Sequence, residues 1–304
     1  MKAAGRTLGR GGKRAETVSL AGDGLRVEIG PLGAELASVR RADDPVEFLW
    51  QGDGRFWPRR APLLFPIVGR LKGDTYVHDG HSYRMQQHGF ARDRRFVVVE
   101  HDETSVRLGL REDAETLACY PFRFELWAHY AIRRDTLTAS YTVANPGESV
   151  MPFSLGAHPG FRCPLVEGER FEDYVVEFGQ AETAPRWLLE DGLLTGETEP
   201  LLNGERVLPL TPELFARGAL VLKGLRSRTV RLLSSRSGRG VEVGFEGFSY
   251  FGIWSRPGAP FVCLEPWCGV ADLAAGSGRL EEKEGIVRLA AGERVVLRVT
   301  LRLL

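Results

Sequence analysis

Cysteine is scarce in this 304-residue chain: Cys119, Cys163, Cys263 and Cys268 are the only four, and no two stand at a CxxC spacing. That excludes a zinc knuckle of the usual kind and a small disulfide scaffold, and makes a reducing cytoplasm the simplest expectation. An excess of one charge is also missing. Forty Lys and Arg against forty Asp and Glu give zero formal charge and a pI near 7.0, so no nucleic-acid partner is expected. Long apolar runs are absent: Ala61–Val68 falls far short of the ~20 residues that span a bilayer and carries prolines, so no membrane partner is expected. Residues 1–15 hold Lys2, Arg6, Arg10, Lys13 and Arg14, with no acid, no serine and no apolar h-region. They read as a flexible basic tail rather than a secretory leader.

Helical periodicity is equally sparse. Only Asp113–Tyr120 and Pro212–Arg217 suit short helices, each bounded by a proline. A doubly wound α/β fold needs a helix between successive strands and is disfavoured. What is present is alternation with a period of two. Phe122, Phe124, Leu126, Ala128, Tyr130 and Ile132 share one parity, Leu137, Ala139, Tyr141 and Val143 repeat it, and Arg133–Asp135 supply a polar turn, which predicts a hairpin. Similar alternation recurs at Leu25–Ile29, Val97–Val99, Val106–Leu110, Tyr174–Phe178, Val230–Leu233, Val241–Phe245, Phe261–Leu264 and Val295–Leu303. Thirty-six glycines and 17 prolines are spread evenly, with no composition shift that marks a boundary. The expectation is an all-β protein, one large antiparallel β-sandwich over residues 16–304, with more than a third strand and less than a tenth helix.

Three segments break the strand pattern with polar groups. In Arg59–Arg95, Arg70 leaves an apolar run through a glycine, where a guanidinium can fork onto hydroxyls, carboxylate or phosphate. His88 and Arg92 lie in QHGFAR, while His78 and His81 flank an Asp-Gly turn and read as exposed. In FSLGAHPGF, a following proline keeps His158 extended and glycines leave its ring uncrowded. In FVCLEPWCG, Glu265 ends an apolar strand, where burial would raise its pKa, and Trp267 lies two residues on. His88, His158 and Glu265 admit two readings: a metal-binding facial triad, or a metal-free acid and base across a sugar ring, with Trp57 and Trp267 as stacking surfaces. No pair stands at metal-ligand spacing on one strand, which favours the second.

At these motifs the chain resembles the aldose 1-epimerase (galactose mutarotase-like) family, in its bacterial sugar mutarotase-like branch. The likeness runs through PLLFPIVGRLKGDTY, QHGFARDRRF, YPFRFEL, VANPGESVMPFSLGAHPGF, FGIWSRPGAPFVCLEPWCG and KEGIVRL. It implies a large antiparallel β-supersandwich and interconversion of the α and β anomers of a free hexose without cofactor or metal. By motif, His158 resembles the general acid at the ring oxygen and Glu265 the general base at the C1 hydroxyl. Arg70 and His88 resemble sugar-holding residues, with Trp267 and Arg92 beside them. The stretch ELFARGALVL has Gly218 where this branch often has an acid, so no sugar-binding aspartate is transferred. A hexose 6-phosphate, served by Arg59, Arg60, Arg92 or Arg94, and a non-catalytic sugar-binding protein remain alternative readings. A β-sandwich hydrolase or lyase would need a second carboxylate or a tyrosine base, and no motif supplies one.

Overall fold

In Glu125–Arg133 and Thr136–Ala144 almost every second side chain is buried, and the two strands pair antiparallel from Arg133↔Thr136 to Glu125↔Ala144. Arg134, with φ at 55°, makes the turn with Asp135. This predicted hairpin lies inside a nine-stranded antiparallel sheet of a computed structural model that describes residues 17–304. The sheet order is Glu205–Pro209, Tyr174–Glu182, Thr229–Ser234, Gly240–Glu246, Arg294–Leu303, Thr136–Ala144, Glu125–Arg133, Ser105–Arg111 and Val97–His101. Strands hold 50% and helix 8% of the residues, as the alternation predicts. The expected basic tail lies outside the described residues.

The second large sheet orders Leu193–Glu199, Arg186–Glu190, Leu220–Lys223, Tyr250–Trp254, Phe261–Cys268, Leu155–Ala157 and Leu63–Leu64, and Gly160–Arg162 also pairs with Phe261–Cys268. One apolar cluster joins the sheets: Leu126, Ala128 and Tyr130 of the first share it with Leu222, Phe251, Ile253, Val262 and Leu264 of the second. Each buried Leu, Ile, Val or Phe among them contributes about 1.5–3 kcal/mol, so this shared layer holds the sandwich together. Phe261–Cys268 is buried along all eight residues. Its even-numbered members Val262, Leu264 and Cys268 belong to the shared core, while Cys263 and Trp267 join two separate apolar clusters. The pleat therefore turns Cys263, Glu265 and Trp267 to the opposite face.

Three local expectations need correction. The strand expected from Phe122 starts at Glu125; Phe122 and Phe124 are buried in the preceding loop, where Glu112 accepts from the Phe124 amide at 3.3 Å. Pro212–Arg217 makes a 3₁₀ turn over Pro212–Phe215 rather than an α-helix. His78 is not exposed: its ring bonds Glu281 and packs 4.7 Å from the Phe122 ring, a long-range contact that local turn chemistry cannot foretell. Asp113–Tyr120 does form a helix, Ala114–Cys119, with Asp113 as its cap accepting from the Thr116 amide at 2.7 Å.

Candidate active site

His158 sits where the chain passes from Leu155–Ala157 to Gly160–Arg162, two short strands that both pair with Phe261–Cys268. Its amide donates to the Pro62 carbonyl at 3.2 Å, and the Pro159 carbonyl accepts from the Leu264 amide at 3.1 Å. The break in the strand thus stands beside Glu265. His158 Nε2 lies 3.0 Å from Glu265 Oε2, and the two side chains are 9% and 1% exposed. The contact lies off the line of a hydrogen bond: Glu265 Oε2, His158 Nδ1 and the Trp267 indole nitrogen are all buried without a hydrogen-bond partner. Buried polar atoms are usually satisfied, so three orphans at one place mark a site built for a polar ligand.

His158, Glu265 and Trp267 line a cavity of about 320 Å³. Trp57 stacks on the His158 ring at 4.8 Å between centroids, and Trp254 meets its edge at 5.8 Å. His88 closes a third side, edge-on at 5.7 Å. Its Nδ1 accepts from the Gly69 amide at 3.1 Å, which leaves Nε2 as the protonated nitrogen of a neutral ring and hence a donor. Two glycines permit this packing. A Cβ on Gly69 would lie 2.5 Å from the Ala271 backbone, and one on Gly89 2.2 Å from the Phe65 carbonyl oxygen; both glycines have positive φ.

Burial sets the protonation of the pair. Desolvation pushes the His158 imidazole down from 6.5 to about 3. Desolvation also raises the Glu265 carboxyl well above its ordinary 4.5, with the Trp267 indole opposing it. Both shifts favour the uncharged forms of the pair, carboxylic acid beside neutral imidazole, over the ion pair. His88 is lowered well below 6.5 by desolvation and then by the neighbouring His158, which keeps it neutral too.

Of the residues anticipated from sequence, His88, Arg92, His158, Glu265, Trp57 and Trp267 all line this cavity. Arg70 stands outside its wall, bonded to Asp74 at 3.0 and 3.2 Å and to the Asp191 carbonyl at 3.2 Å, next to the lining glycines Gly69 and Gly192. Arg92 donates to the Gln87 carbonyl at 2.6 Å, while its Nε is buried without a hydrogen-bond partner. Arg59 is committed to Asp93 at 2.8 Å, and Arg94 turns to Glu115 and Asp113 at 2.6 and 3.5 Å. Sequence reasoning missed Trp254 and the apolar wall of Leu189, Leu194, Ala219 and Val221, because only the sheet brings these segments to the site. Glu265 is the one carboxylate among the described lining residues, and Gly218 lies off the cavity.

Comparison with known proteins places the chain in a family. The aldose 1-epimerase family model matches residues 16–224, a span that includes His88, Arg92 and His158 and ends before Glu265. Protein LacX of Lactococcus lactis subsp. lactis is 36% identical over 283 residues, covering 90% of this chain and 94% of that protein. The crystal structure of a galactose mutarotase related enzyme from Lactobacillus acidophilus has a TM-score of 0.91 at 33% identity, covering 95% of this chain and 97% of the other. A galactose mutarotase-like protein from Lactobacillus casei gives 0.89 at 32% identity, with 95% and 100% covered. With a match over more than half its length and full-length relatives above 30% identity, the chain belongs to the aldose 1-epimerase family.

Proposed function

We propose that the protein is a cofactor-independent mutarotase that interconverts the α and β anomers of a free hexose. The observation that carries the proposal is the buried His158–Glu265 contact at 3.0 Å, opening on a cavity walled by Trp57, Trp254 and Trp267. Opening a cyclic hemiacetal moves one proton off the C1 hydroxyl oxygen and another onto the ring oxygen. Both oxygens are bonded to C1, so two groups in contact serve them from one side; an acid and a base on opposite faces of the ring are unnecessary.

A pair that holds one proton is equipped for both halves of the reaction. As imidazolium and carboxylate, His158 gives its proton to the ring oxygen while Glu265 takes that of the C1 hydroxyl. The pair is then neutral, the form that burial favours. After the C1–C2 bond rotates, closure on the other carbonyl face runs the transfers backward. Entry from the neutral form exchanges the two roles, so the assignment belongs to the pair. Such assistance supplies about 10² to 10⁴ in rate. The His88 Nε2–H and the Arg92 guanidinium are proposed to hold sugar oxygens, and Arg70 to act from the rim through its Asp74-paired guanidinium. The tryptophans offer faces to the apolar side of the ring.

A phosphorylated hexose is the second reading, favoured by one observation: Arg92 lines the cavity, and its buried Nε has no hydrogen-bond partner, with the Asp93 carboxylate at 3.7 Å. Four free cysteines, three of them buried, support a reducing cytoplasm as the place of action. Polarimetry on freshly dissolved α-anomers of several hexoses and of glucose 6-phosphate, corrected for spontaneous exchange, tests the proposal. Catalysed exchange of at least one is expected. Saturable sugar binding without any acceleration would instead mark a binding protein that kept the pocket.

A further inference from the structure

The same face of Phe261–Cys268 carries a third polar group that the sugar chemistry does not use. Cys263 stands two residues before Glu265, and the pleat sends both side chains to one side. His158 enters from the neighbouring strand break, and one ligand atom from each of His158, Cys263 and Glu265 lies within 4.8 Å of the other two, all three residues being buried. Gly160 is in register with Cys263; a Cβ there would sit 3.3 Å from Cys263 Sγ and 2.9 Å from the Trp57 ring, so glycine keeps the sulfur clear on that side. Glu265 Oε2 has no hydrogen-bond partner to surrender.

We infer that His158, Cys263 and Glu265 form a three-ligand site for a zinc-class divalent cation whose occupancy shuts the sugar site. Nitrogen, sulfur and carboxylate oxygen are the donors zinc takes in tetrahedral sites, at about 2.0–2.3 Å, which puts ligand atoms about 3.3–3.8 Å apart. The trio's atoms, within 4.8 Å of one another, need to draw in by up to about 1 Å to reach it. The fourth position faces the cavity, because His158 and Glu265 line it. Binding forms Zn–N, Zn–S and Zn–O bonds while the thiol and carboxyl protons leave to solvent, with no electron transferred. The ion thereby occupies the two groups assigned to proton transfer, and metal and sugar exclude each other.

The surroundings point to reversible inhibition rather than a resident cofactor. Zinc-binding histidines usually donate their second nitrogen to a carboxylate or carbonyl, which fixes the ring and strengthens the ligand. His158 Nδ1 is buried with no such partner.

The test is a titration of the full, chelator-stripped chain with cobalt(II) under a phosphine reductant, read by thiolate-to-cobalt charge-transfer absorption, followed by displacement with zinc(II). One equivalent should develop the band and one equivalent of zinc should abolish it. In Cys263→Ala, and in Cys263→Val if the smaller residue costs the fold, the band should vanish and the zinc dissociation constant rise by at least about 100-fold, a loss no smaller than outer-shell changes cause. Cys119→Ser and Cys268→Ala should behave as the parent. No band at saturating cobalt, or a band that survives loss of Cys263, overturns the inference. Sugar turnover does not enter the readout, so a protein that fails to exchange anomers can still show the site.

Discussion

A buried imidazole kept neutral makes stability depend on pH in a way that one substitution removes. In the folded chain His158 takes up its proton only near pH 3, whereas in the unfolded chain it does so near 6.5. Between those values the unfolded state binds the extra proton and the folded state does not, so the group withdraws stability as pH falls through 6.5. At pH 4.5 the folded imidazole is still neutral, and the two pH units below the unfolded value set the loss at roughly 2–3 kcal/mol. His158→Asn has no titratable ring. Urea unfolding at pH 7 and pH 4.5 should therefore show the parent losing roughly 2–3 kcal/mol more than the variant over that interval. Glu265 moves the other way: its raised folded value means that the native state gains a proton first, which adds stability on acidification. Because the two side chains lie 3.0 Å apart and couple, the same comparison between Glu265→Gln and the His158→Asn/Glu265→Gln double variant removes that contribution. Equal losses in parent and variant would refute the picture of an imidazole held uncharged by burial.

Turnover should require the single-proton form of the pair, so it should persist below neutral pH and fall on the alkaline side, as the raised Glu265 carboxyl loses the shared proton; a pH–rate profile on the parent checks this. Gly252→Ala places a Cβ about 2.4 Å from the Trp267 ring, opposite Glu265 in register, and should cost about 1–3 kcal/mol while raising KM more than it lowers kcat, read by melting and by initial rates. Lys283→Met leaves Asp272 buried without the ammonium now 3.0 Å away and should destabilise the chain by about 3–5 kcal/mol, measured by denaturant unfolding. It should disturb the site as well, because the Asp272 amide donates to the Arg70 carbonyl at 2.9 Å and Ala271 packs on Gly69.

The strands were legible because a sheet with one face buried imposes a period of two, and Leu126 to Ile132 or Leu137 to Val143 display it without interruption. His158 and Glu265 were legible for another reason: each is a polar residue before proline in an apolar segment, so local chemistry announces a stiff presentation. That the two touch was not legible, since the contact depends on Leu155–Ala157 and Gly160–Arg162 both pairing with Phe261–Cys268. Arg70 shows the limit of motif reasoning. Its place after Gly69 suggests a ligand contact, but nothing local foretells that Asp74, four residues on, pairs with the guanidinium and holds it at the rim. The Cys263–Glu265 relation is present in the sequence as an i, i+2 pair on a strand, but His158 joins it only through strand pairing, which CxxC spacing does not reveal.

The central claim is that His158 and Glu265 together move the protons of anomer exchange. Magnetisation-exchange NMR on equilibrated glucose, with glucose 6-phosphate in parallel, measures that step without any coupled reaction. The account predicts exchange accelerated by the parent protein, and lowered by at least about 100-fold in both His158→Asn and Glu265→Gln at unchanged fold and near-unchanged sugar affinity. A folded variant of either residue that exchanges anomers at the parental rate would contradict it.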